Sequence, residues 1–289
     1  MLQSILVNHK LTRFRAAIFV AIWLTLIITF ASPAKAADGN PKVLEQYIFT
    51  PSDEPLAQAK LTLQKASAEN KYALIVLGAQ WCHDSRGLAA SFSDAKMQSI
   101  LQTQYQTQFI DVGFLEDRRI ITEYLGYPTY FATPTVLIVD PNTKTLVNID
   151  TLNIWQNAAS VELDTFYRQF SKWSMSSATA NNPSSTPMAL SNTSEYAQRL
   201  EKEQSARLQQ GYAMLGPLLA ESTTKGPNAK ANQERFFALW DEVKAFRMAL
   251  QKDIHFLRSA EHTSSSSQKA EENINEIYSR LKQRKSWEG

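Results

Sequence analysis

The chemistry this chain can do centres on one side chain. Cys82 is the single cysteine among 289 residues, and it stands in the run Trp81-Cys82-His83-Asp84-Ser85-Arg86. A thiol attacks a disulfide as the thiolate, so its reactivity depends on surroundings that favour the anion. The continuous apolar run Ala73-Leu74-Ile75-Val76-Leu77 before it suits a buried strand, and a helical pattern runs from His83 to about Phe92. Cys82 is therefore expected at a helix N-terminus. Unpaired N–H groups and the positive end of the helix dipole lower the pKa of a cysteine so placed from about 8.5 to about 3.5–7.5. Protonated His83 and Arg86 would add to that field, and Asp84 would oppose it.

The same residues have blander readings. A free cysteine can pack as a small hydrophobe, but its place after Trp81 at a helix start favours the reactive role. His83 reads equally as a solvated first-turn residue or as a tuning group. Cys82, His83 and Asp84 are three metal-ligand types, yet consecutive side chains at a helix start diverge and no second cluster supplies partners, so neither metal nor cofactor is expected. His255, beside an apolar stripe, and His262, in a Ser-rich run, read as structural or solvated. Phe236, Trp240 and Phe246 read as core, and Asp111, at a strand end, receives no role. No Gly-rich phosphate loop, Ser-His-Asp order or paired-carboxylate motif stands out.

The elements around Cys82 alternate. Asp53-Glu54-Pro55 opens a helix that reaches about Ala68, and Asp94 can cap another that carries Met97, Ile100 and Leu101. Phe109 to Val112 reads as a strand, and Ile120, Ile121, Tyr124 and Leu125 mark a further helix. Thr135–Val139 and Thr145–Val147 flank a turn at Asp140-Pro141-Asn142, which makes a β-hairpin. Leu163, Phe166, Tyr167, Phe170 and Trp173 then give a closing helix one broad apolar face. Helices and strands in this order, with an antiparallel end, fit an α/β sandwich.

About fifty residues after Cys82, Ala132-Thr133-Pro134-Thr135-Val136-Leu137 begins a strand. With Trp81-Cys82 opening a helix after a strand, these residues resemble the thioredoxin family over about residues 42 to 174. The resemblance implies a thioredoxin-like three-layer α/β sandwich, here followed by an α-helical C-terminal region. It implies a cis-proline at Pro134 packed against the cysteine; Pro128 competes for that role, and the apolar strand after Thr135 favours Pro134. It also implies a groove shaped by Trp81, Thr133 and Pro134, in which the Thr133 backbone receives an extended substrate segment.

Two positions depart from the family. Ser85 stands where the second cysteine would be, and Val76 where many members bury an acid, six residues before the first cysteine. Cys82, with Ser85 and His83 beside it, is thus expected to work alone. It would form a mixed disulfide with a partner protein or a small thiol or disulfide, and only an external thiol would release it. The rival expectation is a non-catalytic binding or scaffold protein of the cell envelope, in which Cys82 is incidental.

The ends of the chain carry other signals. Lys10, Arg13 and Arg15 precede an apolar stretch from Ala16 to Ala31 and then Ser32-Pro33-Ala34-Lys35-Ala36, the pattern of a secretory signal peptide cleaved after about Ala36. The product is expected to be soluble and periplasmic or secreted, with no membrane association beyond the export signal. Removing residues 1–36 lowers the basic count from 30 to 26 against 28 acids, a change from +2 to −2. With no Lys/Arg block, nucleic acid and anionic lipid are not expected partners.

One cysteine leaves no internal disulfide, so residues 37–174 must hold by packing. Residues 175–192, small, polar and broken by proline, read as a flexible linker. Beyond them, residues 193–289 carry three stripes. The first is Tyr196, Leu200, Leu208, Tyr212 and Leu215; the second runs Phe236, Leu239, Trp240, Val243, Phe246, Leu250, Ile254 and Leu257; the third is Ile274, Ile277, Tyr278 and Leu281. They predict two long helices and a shorter one, jointed at Gly226–Asn228 and Ser264–Ser267, as a hairpin or small bundle. Such stripes require a cover: the rest of the chain, a second copy or a protein partner.

Overall fold

The computed structural model describes residues 43–175, 195–224, 229–258, 275–277 and 279–288. The expected signal peptide, residues 176–192 of the linker, both joints, His262, Ile274 and Tyr278 lie outside the described residues.

Pro55 opens α1 (Pro55–Ala68), where a missing N–H leaves no bond unmade. The all-buried β1 (Tyr72–Gly78) follows, then α2 (His83–Phe92) and α3 (Ala95–Gln104). Asp94 caps α3, its Oδ1 accepting the Lys96 and Met97 N–H groups at 2.9 and 3.0 Å. Next come β2 (Tyr105–Asp111), α4 (Arg119–Tyr124), β3 (Thr135–Asp140), β4 (Thr145–Leu146) and α5 (Leu163–Phe170). The strands form a four-stranded sheet in the order β2-β1-β3-β4. β1 runs parallel to β2 and antiparallel to β3, with Leu77 opposite Thr135.

Alternate residues of β1 feed two separate cores, as the period of a strand dictates. Ala73, Ile75 and Leu77 join Ala59, Leu63 and Ala66 of α1. Leu74 and Val76 join Phe92, Met97, Phe109, Phe166 and Phe170. In the second core the Phe92 and Phe170 rings meet edge to face at 5.0 Å. Each such side chain taken fully from water contributes roughly 1.5–3 kcal/mol, which is how the fold holds with no disulfide.

Three features differ from the sequence expectation. β2 begins at Tyr105, four residues before Phe109, because an edge strand pairs through its backbone and tolerates the half-buried Gln106, Thr107 and Gln108. The closing helix stops at Phe170, and Trp173 lies beyond its end with its ring edge-on to Tyr72. A long 3₁₀ stretch, Ile149–Ser160, was not foreseen. It buries Leu152 and Trp155, a spacing of three that matches its three residues per turn, and Ala158 beyond a break in the helical backbone at Asn157 (φ −126°, ψ 37°).

The C-terminal stripes lie on α6 (Glu195–Thr224) and α7 (Ala229–Arg258). Leu208, Tyr212 and Leu215 of α6 and Val243, Phe246, Leu250 and Ile254 of α7 enter the same core as Ile75 and Leu77, so these helices fold back on the α/β region. The side chains of Tyr196 and Leu257 lie outside the description. Arg207 of α6 holds the chain's end, pairing with both carboxylate oxygens of Glu288 while its carbonyl accepts the Trp287 indole N–H at 3.1 Å.

Candidate functional site

The antiparallel register builds the site. With Leu77 opposite Thr135, the segment leaving β1 and the segment entering β3 meet at one end of the sheet. The chain turns after Gly78, with the Cys82 N–H donating to the Ala79 carbonyl at 3.1 Å. Cys82 is the N-cap of α2, in extended backbone (φ −80°, ψ 124°), and its own carbonyl accepts the Arg86 N–H at 3.2 Å. Its half-buried thiol donates to the carbonyl of Thr133 at 3.1 Å. The Thr133–Pro134 peptide bond is cis, and the bond before Pro128 is not.

Ser85 is fully buried beneath the turn, where its Oγ accepts the Ala79 N–H at 3.3 Å. Gly78 makes room for it, since a Cβ there would stand 2.7 Å from that oxygen and 2.5 Å from the Phe49 ring. Trp81 is half-buried and donates its indole N–H to the Gly113 carbonyl at 2.7 Å. Cys82, Thr133, Pro134, Trp81 and Ser85 are thus brought together. His83 is exposed on the first turn of α2. Arg86 is exposed too, its guanidinium folded back onto the Gln80 carbonyl. Asp84 accepts the Ala159 N–H at 3.1 Å and so ties α2 to the 3₁₀ stretch. Val76 is fully buried among hydrocarbon.

Several supporting residues were not singled out from the sequence. Gly113 takes φ +57°, which turns its carbonyl toward Trp81. Burial raises the Asp111 carboxyl above its usual range, and the Gly113 N–H and Arg118 only partly offset it. Gly113 could have been flagged as a glycine at a strand end. From α6, Tyr212 donates its hydroxyl to the Phe131 carbonyl at 2.7 Å and stacks on Tyr130 at 5.4 Å. Gln209 donates to the Thr129 hydroxyl at 2.7 Å. The turn chemistry of residues 128–134 was legible, but its cover came from a helix some eighty residues away.

Among the described residues, no group of three His, Cys, Asp or Glu side chains gathers as metal ligands, and no helix is long and apolar enough to cross a membrane. His255 is exposed, 3.9 Å from Asp150. It lines a cavity of about 400 Å³ shared by the 3₁₀ stretch and α7, away from Cys82.

No family model and no curated protein matches this chain. Among solved structures, it is similar to the disulphide isomerase from Xylella fastidiosa Temecula1 at 23% identity. The match covers 43% of this chain and 95% of that one, with a TM-score of 0.37.

Proposed function

We propose that this chain is an exported, thioredoxin-like protein that exchanges thiols and disulfides through Cys82 alone. The observation that carries the reading is the meeting of Cys82, at the N-cap of α2, with the Thr133 carbonyl at 3.1 Å. The sheet order, parallel on one side of β1 and antiparallel on the other, supports a thioredoxin-like three-layer sandwich. The basic and apolar pattern of residues 1–36 supports export to the periplasm or beyond.

In the exchange, Cys82 loses its proton and the S–H bond to Thr133 is broken. The thiolate then faces the free N–H groups of the first turn of α2, which stabilise the anion. It attacks one sulfur of a disulfide R–S–S–R. The Cys82–S–S–R bond forms, the old S–S bond breaks, and R–S⁻ leaves and takes up a proton. No thiol at position 85 can repeat the attack, so a second, external thiol must displace the adduct and restore Cys82. Arg86 adds positive charge at the exposed edge of the site.

A second reading draws on the same hydrogen bond. Donation to Thr133 satisfies Cys82 as a neutral thiol, which suits a non-catalytic binding or scaffold protein of the cell envelope. Iodoacetamide labelling of the native protein, read by mass spectrometry with Cys82→Ser as the blank, separates the two. The exchange reading expects Cys82 to label in the folded state. A thiol silent until urea unfolds the chain would overturn it in favour of the scaffold.

A further inference from the structure

The thioredoxin-like resemblance implies that an extended polypeptide would add as a strand along the backbone leading to Pro134, and such addition needs free N–H and C=O groups. Here Phe131 O and Ala132 O, two of the last three carbonyls before Pro134, are held by side chains that take no part in the exchange, and Thr133 O is held until Cys82 loses its proton. Phe131 O accepts the Tyr212 hydroxyl at 2.7 Å, Ala132 O accepts the Thr135 hydroxyl at 2.7 Å, and Thr133 O accepts the Cys82 thiol at 3.1 Å.

The segment is also covered. Phe131, Ala132 and Thr133 are 1%, 3% and 8% exposed, and Tyr130 beneath the Tyr212 ring is fully buried. α6 reaches further, because Gly216 packs on the carbonyl of Phe114, next to the Gly113 carbonyl that holds Trp81. One helix thus braces the segments on both sides of Cys82. Cys82 itself is half-buried, less covered than the strand edge, with exposed Gln80, His83 and Arg86 around it.

We infer that α6 occupies the place of a substrate strand, and that Cys82 exchanges with small disulfides and thiols rather than with extended polypeptides. This rests on the exchange reading above. The step needs no backbone pairing: Cys82–SH and a small R–S–S–R give Cys82–S–S–R and R–SH, and a second small thiol reverses the capture.

The test compares two probes on the unmutated protein: oxidised glutathione, and the symmetric disulfide of a short unstructured peptide with a central cysteine. Each rate of Cys82 adduct formation, followed by mass, is divided by the rate of the same probe with the urea-unfolded chain. The normalised rate with glutathione is expected to exceed that with the peptide at least about tenfold, about 1.4 kcal/mol of exclusion, because α6 stands where the residues flanking the peptide's cysteine would lie. Equal normalised rates, or a faster peptide, would overturn the inference and leave the exchange reading standing. Reaction with neither probe while folded would remove the exchange reading itself, and the inference with it.

Discussion

Gly216 of α6 lies directly against Phe114: a Cβ on Gly216 would stand 2.2 Å from the Phe114 carbonyl oxygen. That oxygen is backbone and cannot swing aside, so even alanine must push α6 away from the loop that carries Gly113. Gly216→Ala is expected to cost about 1–3 kcal/mol, the usual range for overpacking, with Tm falling about 2–4 °C for each. Gly211→Ala is the comparison, since its nearest contacts, with Trp287 and Val243, are side chains at 3.1 Å. Thermal melts of both variants decide the matter, and a Gly216→Ala protein that melts with the wild type would refute the close approach.

The Trp81 indole bond to Gly113 joins the turn before Cys82 to the loop after β2. Trp81→Phe keeps most of the ring and removes the donor. The Gly113 carbonyl is left beside a half-buried ring that water can reach, so the loss is expected near the value of an ordinary hydrogen bond, about 1 kcal/mol. Urea unfolding measures it. A loss several times larger would mean that the indole packs the site instead of tethering a loop.

Much of this arrangement was legible beforehand, and the reasons are local. Pro55, Asp94 and the helical pattern from His83 to Phe92 set the bounds of α1, α2 and α3, because caps and periodicity act within a few residues. The run Ala73–Leu77 gave β1, since a strand buried on both faces must be apolar throughout. The beginning of β2 was hidden, because Gln106, Thr107 and Gln108 pair through their backbone at the sheet's edge. The Tyr212–Phe131 and Gln209–Thr129 contacts were hidden for another reason: their partners lie about eighty residues apart, and helical periodicity says that a stripe is covered without saying by what.

At the end of the chain, Arg207 hydrogen-bonds Glu288 and holds its carboxyl below the usual range, more than burial raises it. A carboxyl depressed in the folded state contributes stability that is complete above its unfolded value, ordinarily about 4.3, and that fades as pH falls through the folded one. Glu288→Gln is therefore expected to melt below the wild type at pH 7, with the deficit starting to shrink below about pH 4.3 and closing as pH falls through the lower, folded value. A deficit that stays constant down to pH 3 would show that amide geometry, not charge, is what the variant lost.

Ser85 lies in the first turn of α2, three residues beyond Cys82 at its N-cap. A disulfide needs Cβ atoms about 3.5–4.5 Å apart and Cα atoms about 4.4–6.8 Å apart, so the turn must adjust to close one between these positions. A cysteine at 85 would thus bring the missing second thiol within reach of an adduct on Cys82. Sulfur is larger than oxygen, and the space beneath Gly78 and Phe49 is tight, so Ser85→Cys is expected to lose about 1 kcal/mol of stability through overpacking. With no acid at Val76 to take the thiol's proton, resolution should be slow but complete. Loaded with glutathione and freed of excess thiol, the wild type is expected to keep its adduct. The Ser85→Cys protein is expected to expel it and gain an internal disulfide, visible by mass as loss of one glutathione molecule from the adduct, which leaves the protein two hydrogens lighter than its reduced form. An adduct that persists equally in both proteins would show that position 85 is not where a resolving thiol can work, and the single-cysteine character of the site would then need another cause.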